Sequence, residues 1–347
     1  MQIPIQNIYY LLCYAWNKLD ESEVVQVDAA AHTSLLNLFA KVLITGTIYL
    51  LKKGLDRDYV TQEDVLQRIR GKLLFATSLK RNLLNHAKAA CQYDELSHNI
   101  LHNRILKTTM KRLLKVDDLD PTLKDELIML YRRLPPIDEV TPTARDFYKV
   151  RLHRNNSFYD FVLSVCQIIY EGLLLDENTG KYRFRDFLRD ENKMNVLFEE
   201  FVRNFLKIEL TAYDVKPEHI SWALEKVGPY DQYLPRMETD ISLTAKDGHR
   251  KIIIDTKYYA SGFKTSAKMG SGEKLVSNHL YQLYSYLKNV EAKGGANQYC
   301  EGILLYAAVD DSADFTFSMP GHQMRIKSLD LNQDWKAIDA DLRKLVA

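Results

Sequence analysis

The sequence predicts a chain of α+β and α/β character in two domains. An N-terminal mixed α+β domain is expected over residues 1–150, and a C-terminal domain with a central mixed sheet flanked by helices over 151–347. Three observations predict this. Residues 34–53 and 99–116 repeat apolar side chains at spacings of three and four, the period of an amphipathic helix. Residues 236–259 read as two strands around a tight turn. Between these blocks, the run from Leu134-Pro135-Pro136 to Thr141-Pro142-Thr143 breaks both patterns, so a linker belongs there. A length of 347 residues is ample for two cores.

From the start, Ile8, Leu11, Leu12 and Ala15 share one helical face, with Asn7 as the expected cap. Between residues 66 and 116 the basic side chains are Arg68, Arg70, Lys72, Lys80, Arg81, Lys88, Arg104, Lys107, Lys111, Arg112 and Lys115, against Asp94 and Glu95 alone. Such an excess is a solvated face, or a surface for DNA or an acidic partner. An apolar helix is expected over 158–175, ending before the turn-forming Asn178-Thr179-Gly180. The helix at 192–210 buries Leu197, Phe198, Phe201, Val202 and Phe205, with Glu199 beside that stripe. A strand over 302–308 adds to the sheet.

The hairpin carries the chemistry. Asp247-Gly248 suits a two-residue turn, because both positions take positive φ. Lys246 then pairs with His249, every pair of residue numbers sums to 495, and Asp240 falls opposite Asp255 and Glu238 opposite Lys257. Alternation along the strand puts Asp255 and Lys257 on one face. Two carboxylates set opposite each other repel, unless a divalent cation lies between them or they share a proton. The plainer reading is a solvated face on which Lys257 balances two acids. Against it stands the β-branched run Ile252-Ile253-Ile254, which marks a buried central strand.

This pattern resembles the PD-(D/E)xK nuclease core, although Pro235 stands five residues before Asp240 instead of adjoining it. Met194 to Glu199, and Gln282-Leu283-Tyr284-Ser285-Tyr286 as a Q-x-x-x-Y motif, resemble the RecB-like branch of that superfamily. The opening I-x-N-I-Y-Y-x-L-x-Y-A-W, from Ile5 to Trp16, resembles the McrC family, the nuclease subunit of McrBC-type modification-dependent restriction systems. The resemblance continues through Gly54–Tyr59, Ile69–Leu73, Leu84–His86, Asn103–Lys107, Tyr131–Pro135, Tyr182–Phe184 and Leu234–Ile241, nearly the whole chain.

The resemblance implies a Mg²⁺-dependent endodeoxyribonuclease of restriction-endonuclease-like fold, with Mn²⁺ able to substitute. Asp240, Asp255 and the Thr256 carbonyl would hold the metal through hard oxygen ligands, with Glu199 as a further candidate. Lys257 would orient or deprotonate the attacking water, and Gln282 and Tyr286 would order the site. It also implies a partner, an McrB-like AAA+ GTPase ring that reads 5-methylcytosine in double-stranded DNA. GTP then acts only through that partner, whose GTPase residues 1–150 would dock against and stimulate.

Composition sets limits on these readings. The net charge of +1 gives no global attraction to nucleic acid, so DNA binding needs local patches. Cys13, Cys91, Cys166 and Cys300 lack metal or disulfide spacing and read as buried thiols of a reducing compartment. No apolar run is expected to span a membrane and no signal peptide is evident, so the chain reads as cytoplasmic. No G-x-x-x-x-G-K-[ST] loop occurs, so it binds no nucleoside triphosphate itself. Two other classes remain at this point: a stand-alone RecB-like repair nuclease, and a catalytically dead adaptor that activates an AAA+ partner.

Overall fold

The computed structural model describes residues 3–18, 34–175, 182–185, 187–224, 230–259, 275–308 and 313–347. They form two compact units. One holds residues 34–185, and the other joins residues 3–18 to those from 187 onward. The division therefore differs from the expected boundary at 150. The expected turn at Asn178-Thr179-Gly180 lies outside the described residues.

Helix α1 (Ile5–Ala15) belongs to the second unit. The first unit opens with α2 (Leu35–Lys53), capped by Ser34, whose hydroxyl accepts from Asn37 N at 3.2 Å, and closed by Gly54 at φ 93°. By length and composition α2 could cross a membrane, with a mean hydropathy of 1.5, contrary to the expectation that no run would qualify. Its apolar surface is used inside the protein, where Leu38, Phe39, Leu43 and Ile44 are buried.

Strands β1 (Asp58–Leu66), β2 (Lys72–Leu73) and β3 (Ala89–Ser97) form a sheet ordered β1-β3-β2, with helix α3 (Phe75–Lys80) between β2 and β3. Helices α4 (Leu101–Leu113), α5 (Pro121–Arg133), α6 (Ala144–Lys149) and α7 (Phe158–Gly172) follow, then the short pair β4 (Leu173–Leu175) and β5 (Tyr182–Phe184). Helix α7 stops at Gly172, short of the expected 175, where the Phe184 ring leaves no room for a side chain: a Cβ would lie 2.6 Å from it.

The Pro-rich run has neither helix nor strand, yet it is no boundary. Lys107 Nζ donates to the Ile137 carbonyl at 2.6 Å, and Val140 N donates to Thr108 Oγ1 at 3.0 Å, fastening it to α4. Residues beyond 150 are held to the same unit through Asp56. Asn156 Nδ2 donates to Asp56 Oδ2 at 2.7 Å, Asp56 N donates to the Tyr159 hydroxyl at 3.0 Å, and that hydroxyl donates to Asn103 at 2.7 Å. The basic excess is partly consumed internally, since Arg70 lies over Tyr93, Arg112 over Tyr170, and Lys111 pairs with Glu139. Arg68, Lys72, Lys80, Arg81 and Lys88 stay exposed, as do Ile69, Phe75 and Leu79.

The second unit contains α8 (Glu191–Glu209), β6 (Tyr213–Lys216), β7 (His219–Ile220), β8 (Met237–Glu238), β9 (Ile241–Ala245), β10 (Lys251–Lys257) and α9 (Ser277–Glu291). It ends with β11 (Glu301–Ala308), β12 (Asp314–Met319), β13 (His322–Asp330) and α10 (Trp335–Lys344). A six-stranded mixed sheet runs β12-β13-β11-β10-β9-β6, with β10 parallel to β11 and antiparallel to β9. Strand β10 is thus central, and Ile252, Ile253 and Ile254 are fully buried, each worth about 1.5–3 kcal/mol of transfer free energy. Against the Ile253 face, α9 packs Leu283, Leu287 and Val290.

Helix α1 is seated in this unit. Asn7 does not cap it: buried Nδ2 donates instead to the carbonyls of Leu331 at 2.9 Å and Gln333 at 2.8 Å. Tyr10 stacks on Trp335 at 4.6 Å, and Asn204 Nδ2 donates to the Tyr14 and Ala15 carbonyls at the end of α1. All four cysteines are buried, and none forms a disulfide.

Candidate active site

The β9–β10 register follows the sum of 495: Ile241 pairs with Ile254, Ser242 with Ile253, Leu243 with Ile252 and Thr244 with Lys251. The turn is longer than expected. Ala245 N donates to Arg250 O at 2.9 Å and Gly248 N to Ala245 O at 2.9 Å, so residues 246–249 form the loop and Lys246 does not pair with His249. Only Gly248 takes positive φ, at 76°. The ladder also ends at Ile241–Ile254, so Asp240 is not the strand partner of Asp255 as expected. Asp240 Oδ2 accepts from Thr256 N at 2.7 Å and Thr256 Oγ1 at 2.9 Å, replacing a strand bond with a side-chain bond. Glu238 consequently does not face Lys257. It sits in β8, which pairs with β7, and Glu238 is register partner to His219.

Asp255 is completely buried on β10, and among the described residues only the Lys257 ammonium, 2.7 Å from Oδ2, reaches its carboxylate. Burial first, then the charge of Asp240, pushes the Asp255 carboxyl up to about 7. Lys257 feels the opposite balance: burial disfavours its charge, Asp255 outweighs that, and its pKa is raised.

From Lys257 a chain of donors runs into α9. Lys257 Nζ donates to Gln282 Oε1 at 3.3 Å, Gln282 Nε2 to the Tyr286 hydroxyl at 2.9 Å, and that hydroxyl to the Glu238 carbonyl at 2.9 Å. The Q-x-x-x-Y pair therefore ties Lys257 to the backbone just ahead of Asp240. Glu199 of α8 lies near enough for Asp240 to raise its pKa, after burial, but its carboxylate is paired with Arg203 at 2.7 Å. Arg203 also donates to the Asp240 carbonyl at 3.3 Å. On the same helix Asn195 Oδ1 accepts from Tyr258 N at 3.0 Å, fixing the strand just past Lys257.

The structure thus brings Asp240, Asp255, Thr256, Lys257, Gln282, Tyr286 and Glu199 to one end of β10. Sequence reasoning missed Arg203, which the four-residue spacing from Glu199 would have flagged. It also missed His279, Tyr259 and Tyr306. His279 is three residues before Gln282 on the same face of α9, and bonds Tyr259 through Nε2 and Tyr306 through Nδ1, each at 2.8 Å.

These residues suit a divalent cation of the hard kind. Among the described residues no three His, Cys, Asp or Glu side chains form a metal cage. Two carboxylates with a backbone carbonyl match instead what Mg²⁺ uses, since it keeps several waters. The buried Asp255 Oδ1, which accepts no hydrogen bond from the described residues, is an atom a cation would satisfy.

The family model for the McrBC 5-methylcytosine restriction system component matches residues 6–307. The chain belongs to this family. An McrBC relative from Escherichia coli strain K12, the type IV methyl-directed restriction enzyme EcoKMcrBC, is 35% identical over 341 residues, covering 98% of this chain and 96% of the relative. Among solved structures, a half-complex from a tetradecameric assembly of Thermococcus gammatolerans McrB AAA+ hexamers with bound McrC matches with a TM-score of 0.60. That likeness covers 98% of this chain and 75% of the other at 17% identity, and it shows a shared fold.

Proposed function

We propose that this chain is the DNA-cleaving subunit of a GTP-dependent restriction endonuclease specific for modified cytosine, with a PD-(D/E)xK site that uses Mg²⁺. One observation carries the reading: a fully buried Asp255 whose carboxylate meets only the Lys257 ammonium, within the field of Asp240, on the central strand of a mixed sheet. Family membership supports the restriction role. A solvated hairpin face does not account for an acid at 0% exposure.

Asp240, Asp255 and the Thr256 carbonyl would hold the metal, with Glu199, now paired with Arg203, as a further candidate ligand. When bound, Mg²⁺ supplies Lewis-acid polarisation of the phosphate and acidifies a water. Lys257, held charged by Asp255, orients that water and meets the negative charge building on phosphorus. Gln282 and Tyr286 fix the Lys257 ammonium and the approach of Asp240.

The partner is an McrB-like AAA+ GTPase ring, as in the Thermococcus assembly, and the unit of residues 34–185 is the docking and GTPase-stimulating part. Its exposed Ile69, Phe75 and Leu79 interleaved with exposed Arg68, Lys72 and Lys80 support this placement. GTP enters only through that ring.

Asp255→Ala tests the reading. Cleavage of methylated duplex is expected to vanish, while the variant still assembles with the ring and still stimulates GTP hydrolysis. A folded Asp255→Ala protein that cuts at the wild-type rate refutes the proposed site, and one that loses GTPase stimulation refutes the division of labour.

A further inference from the structure

One hydrogen-bonded group at the site has no part in the chemistry above. Tyr306 of β11 is the register partner of Lys257 in the parallel pair, and its hydroxyl lies 2.8 Å from His279 Nδ1. The Tyr259 hydroxyl, two residues past Lys257, lies 2.8 Å from His279 Nε2, with the two rings stacked at an interplanar angle of 18°. Tyr306 is 1% exposed and His279 is 9% exposed, so the inner end of this chain is anchored in the core. Tyr259 at the outer end is only partly buried. Helix α9 therefore sends two parallel hydrogen-bond chains to the end of β10, one through Gln282 to Lys257 and one through His279 to Tyr259.

The two ring nitrogens of His279 are both engaged by hydroxyls, so it has no open lone pair with which to act as a base. Burial, and next the Lys257 charge, lower its pKa to about 4, which keeps it neutral. A neutral imidazole donates from one nitrogen and accepts at the other. In the tautomer protonated at Nε2, the Tyr306 hydroxyl donates to Nδ1 and Nε2 donates to the Tyr259 oxygen. The Tyr259 hydrogen is then directed away from His279. Lys257 and Asp255 both act on the Tyr259 hydroxyl, which places it in the electrostatic field of the site. A histidine serving only to fill the core needs no partly exposed tyrosine at its outer edge.

We infer that His279 is a positioning residue that aims the Tyr259 hydroxyl beside Lys257, where Tyr259 donates a hydrogen bond to a non-bridging oxygen of the scissile phosphate. The inference rests on the nuclease reading above. Lys257 meets the phosphate as a point charge, whereas a phenol held by two hydrogen-bonded rings adds direction. Such a donor contributes most as negative charge grows on the phosphate, so its loss falls on the chemical step.

The test uses the complete complex with its AAA+ ring, GTP and Mg²⁺, cutting methylated duplex. Tyr259→Phe is expected to lower kcat by about 10- to 100-fold, with KM for DNA changed by less than about threefold. His279→Phe keeps a ring but loses both hydrogen bonds, and is expected to match that loss. The double variant should be no slower than either single one, because the two residues act as a unit. His279→Gln, which can both donate and accept, should recover part of the rate. Full kcat in Tyr259→Phe overturns the inference, and so do losses that multiply in the double variant. If His279→Phe fails to fold, Tyr259→Phe and His279→Gln decide alone. Asp255→Ala run alongside separates the two levels: persistent cutting there removes the nuclease reading itself, whereas a dead Asp255→Ala beside a fully active Tyr259→Phe removes only this inference.

Discussion

Asp255 and Asp240 differ in how their surroundings treat a negative charge. Asp240 receives two hydrogen bonds from Thr256, whereas Asp255 is buried with only the Lys257 ammonium beside it and is raised to about 7. Mg²⁺ or Mn²⁺, titrated into the millimolar range without DNA, is therefore expected to raise the melting temperature through preferential binding to the folded state. In Asp240→Asn the amide oxygen can still accept from Thr256 while the repulsion on Asp255 is gone. That variant should be as stable as wild type without metal, or more so, yet gain less from it. Equal small responses in both proteins would favour a cation-free role for the pair. The residues of this site were legible because side-chain alternation on a strand and a four-residue helix spacing are written directly in sequence. Tyr259, His279 and Tyr306 were not, because they meet only when β10, α9 and β11 are folded together.

Among the elements, the β9–β10 connection shows what a turn motif does and does not specify. Asp247-Gly248 set the register, since one-residue slippage would expose the isoleucine run, but four loop residues satisfy the same register as two. Gly248→Ala, at φ 76° in open space, should destabilise by about 1 kcal/mol, a fall of about 2–4 °C in melting temperature. An unchanged melting temperature would show that the turn relaxes at no cost. Nearby, Glu218 ties three elements, accepting from Lys251 of β10 at 2.5 Å, Ser242 of β9 at 2.9 Å and Lys293 after α9 at 2.9 Å. Burial alone would raise its pKa, but Lys251 and Lys293 outweigh that and hold it at about 2, below the ordinary value of 4.5. A depressed carboxylate stabilises the fold above its unfolded pKa, and that contribution is lost as pH falls from 4.5 towards 2. Glu218→Gln should accordingly flatten the acid limb of stability in this window, measured by denaturant melts at stepped pH. An acid limb as steep as wild type would assign that loss to other groups.

For the whole molecule, the division into units predicts that residues 34–185, with their own core around α2 and α7, fold when expressed alone, bind the AAA+ ring and raise its GTPase rate. Binding that maps only to the other unit would reject this assignment. The two-part plan was legible from the change in pattern along the chain, but its boundary was not. Proline marks where helices and strands stop, and the segment at 134–143 does stop them, yet its carbonyl and amide groups are taken up by α4. Nor does sequence order reveal that α1, first in the chain, is held by Asn7 and Tyr10 to residues beyond 330. That placement matters for any shortened gene product. A protein whose translation began just ahead of Ser34 would retain every residue of the proposed docking unit and lack the helix that Phe201, Phe205 and Trp335 pack against in the other. It should engage the ring while carrying a damaged cutting unit, and so act as a dominant inhibitor of its own restriction system.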